Sequence, residues 1–477
     1  MAQNRRRTKI VCTIGPSSNS KEVIESLIRK GMNVVRLNFS HGTHEDHRKV
    51  IENVRKVARK YRYSIPILMD LQGPKIRVGR MKGGEQLIKA GTEVTLTPDD
   101  IEGTAQLIPI DYPYLAKDAE VGNTVLMDDG MLELKVTENN GEKLTAKVVV
   151  GGQLRSRKGV NLPDIDISMS SLTEKDIEDL EFGIEQDVDL IAMSFVRSPN
   201  DIQEIVSRVR AKNSLASVIA KIEKPEAVNV IDEIIEEADG IMVARGDLGI
   251  ELPSERVPLI QKKLIQKSRI AGKPVITATQ MLESMLDNPR PTRAESSDVA
   301  NAVMDGTDAV MLSGETAVGD YPVESVKVMD NICRTVERES MNIYHSLTYR
   351  KPEWKEKQVI ESLSYSCVRM AEYVEAKAIS TITHSGNTAR RIAKFRPEVP
   401  IIAFTESNKV RRQLNLVWGV TPVRLEEIFD TDSSVRLMEN HLKDHGMVEE
   451  GDRVIIATGM PIAKRGRTNM IKVSTID

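Results

Sequence analysis

The chain has 477 residues, 40% of them hydrophobic and 29% charged, with a net charge of −3; at about 150 residues per domain, that length predicts three globular domains. So even a charge balance excludes nucleic acid as an expected partner, since binding it needs a clustered basic face. Cys12, Cys333 and Cys367 are too scattered for a disulfide framework or a CxxC metal site, which favours a reducing compartment.

The opening MAQNRRRTKIVCTIGP is basic, but its apolar run meets Gly15-Pro16 too soon for a signal-peptide core. No uncharged apolar run is long enough to cross a bilayer, so a cytoplasmic protein without a membrane partner is expected. KIVCTIG reads as a strand, followed by a helix in SNSKEVIESLIRKG with Ser18 or Ser20 as cap and Gly31 as terminator. NVVRLNFS is a second strand leading to a charged helix from about His44 to Lys60, and IPILMDL is a third strand. Over 72–166 helical periodicity gives way to the short alternating runs TEVTLT, NTVLM, LELKV and LTAKVVV. With Asp129-Gly130 and Asn140-Gly141 as turn pairs, this reads as an inserted all-β module. Alternation resumes at SLTEKDIEDLEFGIEQ, a helix with a Ser/Thr start, and runs through VDLIAMSF, SVIAKIE, GIMVARG, KPVITAT and DAVMLSG. Three strands before the module and five after it make eight. The fold class is therefore α/β, a closed (β/α)8 TIM barrel over 1–71 and 167–341, with an open doubly wound sheet as the alternative. From 342 to 477, AISTITH, PIIAFT and DRVIIATG alternate with helices as a separate C-terminal α/β domain.

Barrel enzymes keep their chemistry at the C-terminal ends of the strands. Those ends are polar here with a period of two: Arg36, Asn38 and Ser40; Lys221 and Glu223; Arg245 and Asp247; Thr277 and Thr279. Residues two apart on a strand share a face, so each set is expected to point one way, into the barrel mouth or outward. Lys221 and Glu223 interrupt an apolar strand, where a charge must be paired or bind a metal. One reading is a structural ion pair. The other gives Glu223 and Asp247 to one Mg²⁺, a hard ion with oxygen ligands, and leaves Lys221 to neutralise a transferring phosphoryl group. Gly246 and Gly249 in ARGDLG allow close backbone approach, and a short helix starting there would aim N–H groups at a carboxylate or phosphate. His41, His44 and His47 are spaced by three, which drifts around a helix and suits zinc poorly; His41, nearest the strand end, is a candidate nucleotide contact. In THSGNTARRIAK, Thr383, Ser385, Gly386, Asn387 and Thr388 form a candidate phosphate cradle, and a plain strand–turn–helix connection is equally compatible.

RLNFSHG, DLQGPKIR, AKIEKPEAV, MVARGDLGIELP, ITATQMLESM, RPTRAESSDVANAV and MLSGET together resemble the pyruvate kinase family, over essentially the whole chain from Lys9. The resemblance implies phosphoryl transfer from phosphoenolpyruvate to ADP. It implies Glu223 and Asp247 as ligands of Mg²⁺ (or Mn²⁺), with Lys221 stabilising the transition state. Arg36 would hold the phosphoryl group, assisted by Arg77; Gly246 and Asp247 would offer N–H groups to the substrate carboxylate. Thr279 would lie beside that carboxylate, on the route of a proton to the enolate. Asn38, Ser40, His41, Arg77 and Lys158 match positions that contact the nucleotide, and the all-β module would be a mobile lid. The family's tetramer implies a homotetramer, and its use of the THSGNT loop implies a phosphorylated small-molecule effector.

Two departures alter what the resemblance implies. Members that require K⁺ hold it with oxygens matching Asn38, Ser40, Asp70 and a hydroxyl after Asp70, and carry an acid where this chain has Lys75. Here Leu71 follows Asp70, and an ammonium at Lys75 can do the electrostatic work of a monovalent cation, so K⁺ is not expected to be required. The plainer alternative is a solvated loop lysine after Pro74. Members regulated by fructose 1,6-bisphosphate carry a tryptophan and an arginine in the final loop, which here reads GMPIAKRGRTN. Lys464, Arg465 and Arg467 remain to meet a phosphate, so a sugar monophosphate or a nucleotide is the expected effector. Two other readings compete. A Mg²⁺-dependent barrel lyase or aldolase would use the same carboxylates but no nucleotide lid. A regulator without catalysis would not keep Lys221, Glu223, Asp247 and Thr279.

Overall fold

Eight parallel strands close into a barrel: β1 (Lys9–Thr13), β2 (Val34–Asn38), β3 (Ile67–Asp70), β4 (Leu190–Met193), β5 (Ser217–Ile222), β6 (Gly240–Ala244), β7 (Val275–Ala278) and β8 (Ala309–Leu312). Consecutive strands are neighbours and β8 pairs with β1, Lys9 opposite Ala309, so the open-sheet alternative is excluded. The computed structural model describes residues 6–163, 165–339, 359–426, 430–460 and 468–477. The strands are nearly continuous runs of buried apolar residues because both faces are covered, by helices outside and by other strands inside. Val11, Val34, Leu68, Ala192, Ile219, Met242, Ile276 and Met311 fill the barrel itself. The filled interior makes it a packed core rather than a pore.

Capping chemistry decides where the outer helices start. Ser20, not Ser18, caps Lys21–Lys30 by accepting from Val23 N, and Gly31 ends that helix at φ 123°. Ser18 Oγ instead accepts from Gly15 N. Thr43 with Asp46 forms a capping box on His44–Lys60, Thr173 with Asp176 on Glu174–Glu185, and Thr292 with Glu295 on Arg293–Asp305.

The inserted module carries a six-stranded sheet and a separate antiparallel pair, Glu85–Ile88 with Gly152–Arg155. The expected hairpins form, but not through two-residue turns: Met127 pairs with Leu132 and Asn139 with Leu144. Asp128, Asp129 and Gly130 all take positive φ, which spreads the first connection over a wider loop. The C-terminal domain is a five-stranded sheet, β9 (Ala378–Ile382), β10 (Ile401–Thr405), β11 (Val420–Arg424), β12 (Arg453–Thr458) and β13 (Met470–Thr475), in the order β11-β10-β9-β12-β13. β11 and the antiparallel edge strand β13 were not legible, since most of their side chains are not buried. This domain docks on the bottom of the barrel. Leu416 joins the interior cluster, Lys9 Nζ donates to Val420 O (2.7 Å), and Arg396 meets Asp308 at 3.1 Å. The strands' C-terminal ends, at the opposite face, are left to the inserted module. No described helix is long and apolar enough to cross a membrane.

Candidate active site

Lys221 leaves β5 near its C-terminal end and its ammonium is surrounded by acceptors. It lies 2.9 Å from Glu223 Oε1 and 3.2 Å from Asp70 Oδ1, and donates to Ser194 Oγ at 2.6 Å. Asp70 Oδ1 has no aligned hydrogen bond, so that contact is ionic. Asp70, at the end of β3, also accepts from Arg36 Nε at 2.6 Å, and Arg36 Nη1 donates to Thr13 Oγ1 at 2.8 Å. Strands β1, β2, β3 and β5 and the turn after β4 thus contribute to one buried network in which Asp70 and Glu223 are each 1% exposed.

Its electrostatics follow from that crowding. Burial works against the Lys221 ammonium, but Asp70 and Glu223 outweigh it and hold the pKa well above the ordinary lysine value. Burial likewise opposes ionisation of Asp70, yet Lys221 and Arg36 prevail and hold its carboxyl below the usual range. Glu223 goes the other way. Burial pushes its carboxyl up and the nearby charge of Asp247 adds to this, against the pull of Lys221. A desolvated carboxylate facing a second carboxylate is short of positive charge, and hard oxygens in this arrangement suit a divalent cation.

Asp247 and Gly246 are not on a strand. After β6 the chain turns directly into the helix Arg245–Glu251, so the anticipated short helix is present and its first turn carries both residues. The expectation that Arg245 and Asp247 share a strand face therefore fails, as does that for Thr277 and Thr279. Arg245 turns aside to Asp298 Oδ1 (2.7 Å) and Thr279 O (2.7 Å), whereas Asp247 Oδ1 faces Lys75 Nζ at 3.9 Å. Thr277 is buried and donates to Thr307 Oγ1 (3.0 Å). Thr279 lies beyond β7 at φ 66°, a strained conformation for a β-branched residue, and its Oγ1 accepts from Gly246 N at 2.7 Å. The N–H expected to receive a substrate carboxylate is thus satisfied by the hydroxyl expected to lie beside it.

The remaining site candidates stand around this centre. Asn38 Oδ1 accepts from Ser40 N (3.2 Å); Leu71 is buried and its carbonyl accepts from Ser194 Oγ (2.7 Å). On the inserted module, Arg77 Nη1 donates to Arg157 O (3.1 Å) and Lys158 Nζ pairs with Asp128 at 2.7 Å. His41 is exposed, and His47 Nε2 donates to its carbonyl (3.0 Å). His47 stacks on Phe39, while His44 stacks on Phe182 and meets Asp179 at 2.7 Å, so these histidines are committed to packing. In the C-terminal domain Thr383 Oγ1 accepts from Gly386 N (2.9 Å), Thr388 Oγ1 meets Thr468 Oγ1 (2.6 Å), and Ser385 and Asn387 are exposed. Lys464, Arg465 and Arg467 lie outside the described residues, as does the boundary expected at 341/342. Lys224, Glu251 and Asn161 were missed. Glu251 Oε1 accepts from Lys224 Nζ (2.6 Å) and from Asn161 Nδ2 (2.8 Å), tying the module to the barrel. A cavity of about 870 Å³ lies instead between the barrel's lower face and the C-terminal domain, beside Arg6, Lys9 and Lys377. Charge convergence, not volume, locates the chemistry.

The family model for the pyruvate kinase barrel domain matches residues 5–326, and that for the pyruvate kinase alpha/beta domain matches 361–474. The chain belongs to the pyruvate kinase family. Pyruvate kinases of Staphylococcus epidermidis and of Staphylococcus aureus strain MRSA252 are each 46% identical to it over 473 residues, 99% of this chain and 80% of theirs. A crystal structure of a pyruvate kinase from Cryptosporidium parvum superposes with a TM-score of 0.93 at 41% identity, covering 99% of this chain and 96% of that one. Membership removes the lyase and the non-catalytic readings: the chain is a phosphotransferase.

Proposed function

We propose that Lys221, Arg36, Thr279, Glu223 and Asp247 carry out the reaction that pyruvate kinase membership assigns to this chain, the transfer of the phosphoryl group of phosphoenolpyruvate to ADP in the last step of glycolysis. The observation that carries the reading is the convergence of Lys221, Glu223, Asp70 and Arg36 on one buried point at the C-terminal ends of the strands. Phosphoryl transfer needs positioning and fixed charge more than covalent chemistry, and this cluster supplies both.

Arg36, braced by Thr13 and Asp70, binds the phosphoryl oxygens with its remaining N–H groups. Lys221 stays protonated and meets the charge that spreads over the transferring group. Gly246 and Asp247 turn their N–H groups to the substrate carboxylate, which displaces the Thr279 hydroxyl from Gly246. The Thr279 hydroxyl, which donates to Ala278 O at 2.6 Å before substrate arrives, then relays a proton from water to the enolate, taking one up from that water as it gives its own. Glu223 and Asp247 would hold the family's divalent cation, Mg²⁺ or Mn²⁺, which when bound would polarise the substrate oxygens. Asn38, Ser40, His41, Arg77 and Lys158 receive ADP as the module over 72–166 closes and excludes water.

Lys75 replaces the monovalent cation of the site Asn38, Ser40, Asp70 and Leu71. What supports this is its ammonium beside Asp247, together with a Leu71 that has no hydroxyl to offer. Thr383, Ser385, Gly386, Asn387 and Thr388 take the phosphate of an effector, a sugar monophosphate or nucleotide, in a cytoplasmic homotetramer. The deciding experiment is Lys221→Met. Its kcat should fall by at least about 10³-fold, with phosphoenolpyruvate and Mn²⁺ affinities retained, because the lost charge acts mostly in the transition state. Retained turnover would end the assignment.

A further inference from the structure

Neither the sequence motifs nor family membership accounts for the turn that follows β4. There Phe195 adopts φ 53°, a left-handed conformation that an aromatic residue rarely takes without a reason. The turn is held on every side. Ser194 is 2% exposed, and its Oγ donates its one proton to Leu71 O at 2.7 Å. That leaves only lone pairs facing Lys221, whose Nζ donates to them at 2.6 Å. One residue on, the left-handed backbone turns the Phe195 N–H to Glu223 Oε2 at 2.8 Å. Against the other side sits Gly73 at φ 69°, where a Cβ would stand 2.7 Å from Phe195 Cδ2 and 3.0 Å from Ser194 Cβ.

We infer that Ser194–Phe195 is a positioning turn for the phosphotransfer reaction, aiming the Lys221 ammonium through the Ser194 hydroxyl and the Glu223 carboxylate through the Phe195 N–H. The inference rests on the roles proposed above for Lys221 and Glu223. An ammonium has three N–H bonds. Held by carboxylates alone, Lys221 would follow them whenever their charge is drawn to a cation. The Ser194 hydroxyl is a neutral acceptor fixed by its own donation to Leu71, so it keeps the nitrogen in place without cancelling its charge. Strain at Phe195 persists because two hydrogen bonds from adjacent residues and the close packing on Gly73 over-determine the turn.

The test measures kcat, KM for phosphoenolpyruvate and the Mn²⁺ dissociation constant, the last by electron paramagnetic resonance titration, which requires no turnover. For Ser194→Ala, kcat should fall about 30-fold while KM and Mn²⁺ affinity stay within about threefold of the parent. For Gly73→Ala, whose Cβ would stand 2.7 Å from Phe195 Cδ2 at a positive φ and so force the turn to shift, Mn²⁺ binding should weaken about tenfold. Parental kcat in Ser194→Ala, or a joint loss of kcat, KM and Mn²⁺ affinity, overturns the role of Ser194. Unchanged Mn²⁺ affinity in Gly73→Ala overturns that of Phe195. If Ser194→Ala does not fold, Ser194→Cys, whose sulfur accepts weakly in the same space, is judged by the same criteria. Lys221→Met is measured alongside; if that variant keeps its turnover, the underlying assignment of Lys221 is what fails, whatever Ser194→Ala does.

Discussion

The barrel mouth and the inserted module both carry charge to which a function is proposed, but they hold it differently. At the mouth, Asp70, Glu223, Lys221 and Arg36 are desolvated and locked together at 2.6 to 3.2 Å. On the module, Lys158 and Asp128 pair with side chains 37% and 20% exposed, and Arg77 donates to the carbonyl of Arg157. The groups proposed to meet charge developing on a phosphoryl group are fixed in advance, where low dielectric strengthens them. Those proposed to receive a nucleotide sit in solvent, where re-aiming costs little and the proposed closing motion could carry them.

The largest way to break this contrast is at Asp70, which pairs with both Arg36 and Lys221. Asp70→Asn leaves two buried cations without it and should cost about 3–5 kcal/mol of stability by denaturant unfolding, with kcat down at least about 100-fold. Its pH signature has a definite sign. The folded Asp70 carboxyl titrates below its unfolded value. Its contribution is therefore fully present at neutral pH and is lost as pH falls below about 4, through the depressed folded pKa. Unfolding free energy measured against pH should show this acid loss in the parent and not in Asp70→Asn.

A smaller effect is expected where the two regions meet. Turnover in buffers free of K⁺ should equal that with K⁺ added, whereas Lys75→Glu should become stimulated by K⁺ about tenfold or more, having lost the resident cation. A strong K⁺ requirement in the parent would remove Lys75 from the account. Smallest of all is Lys158→Ala. Its KM for ADP should rise about threefold to tenfold, and the melting temperature should stay put, since a half-exposed pair is worth under about 1 kcal/mol.

Much of this was legible in the sequence because the signals are local. Strand runs, the Ser20 cap and Gly31 stop of the first helix, the Ser/Thr start before Glu174, and the alternation counted to eight all depend on neighbours along the chain. AKIEK exposed its own importance by placing two charges in an apolar strand. What failed was the period-of-two argument at Arg245 and Thr279. It assumes an extended backbone, while one residue had entered a helix and the other a left-handed turn. Ser194 and the Lys224–Glu251–Asn161 bridge were invisible for another reason. Their partners are 27 to 123 residues away, and a lone serine or glutamate in sequence says nothing about what it will touch. Weak edge strands such as β13 carry too little apolar alternation to be seen at all.

The central claim is that Glu223 and Asp247 grip a single divalent cation beside Lys221. A double-mutant cycle on Mn²⁺ binding, with Glu223→Gln, Asp247→Asn and both together, addresses it directly. The account predicts one high-affinity ion per chain, lost in either single variant, with the second substitution adding little to the first. Two independent losses that sum, or a parental affinity surviving in Glu223→Gln, would contradict it.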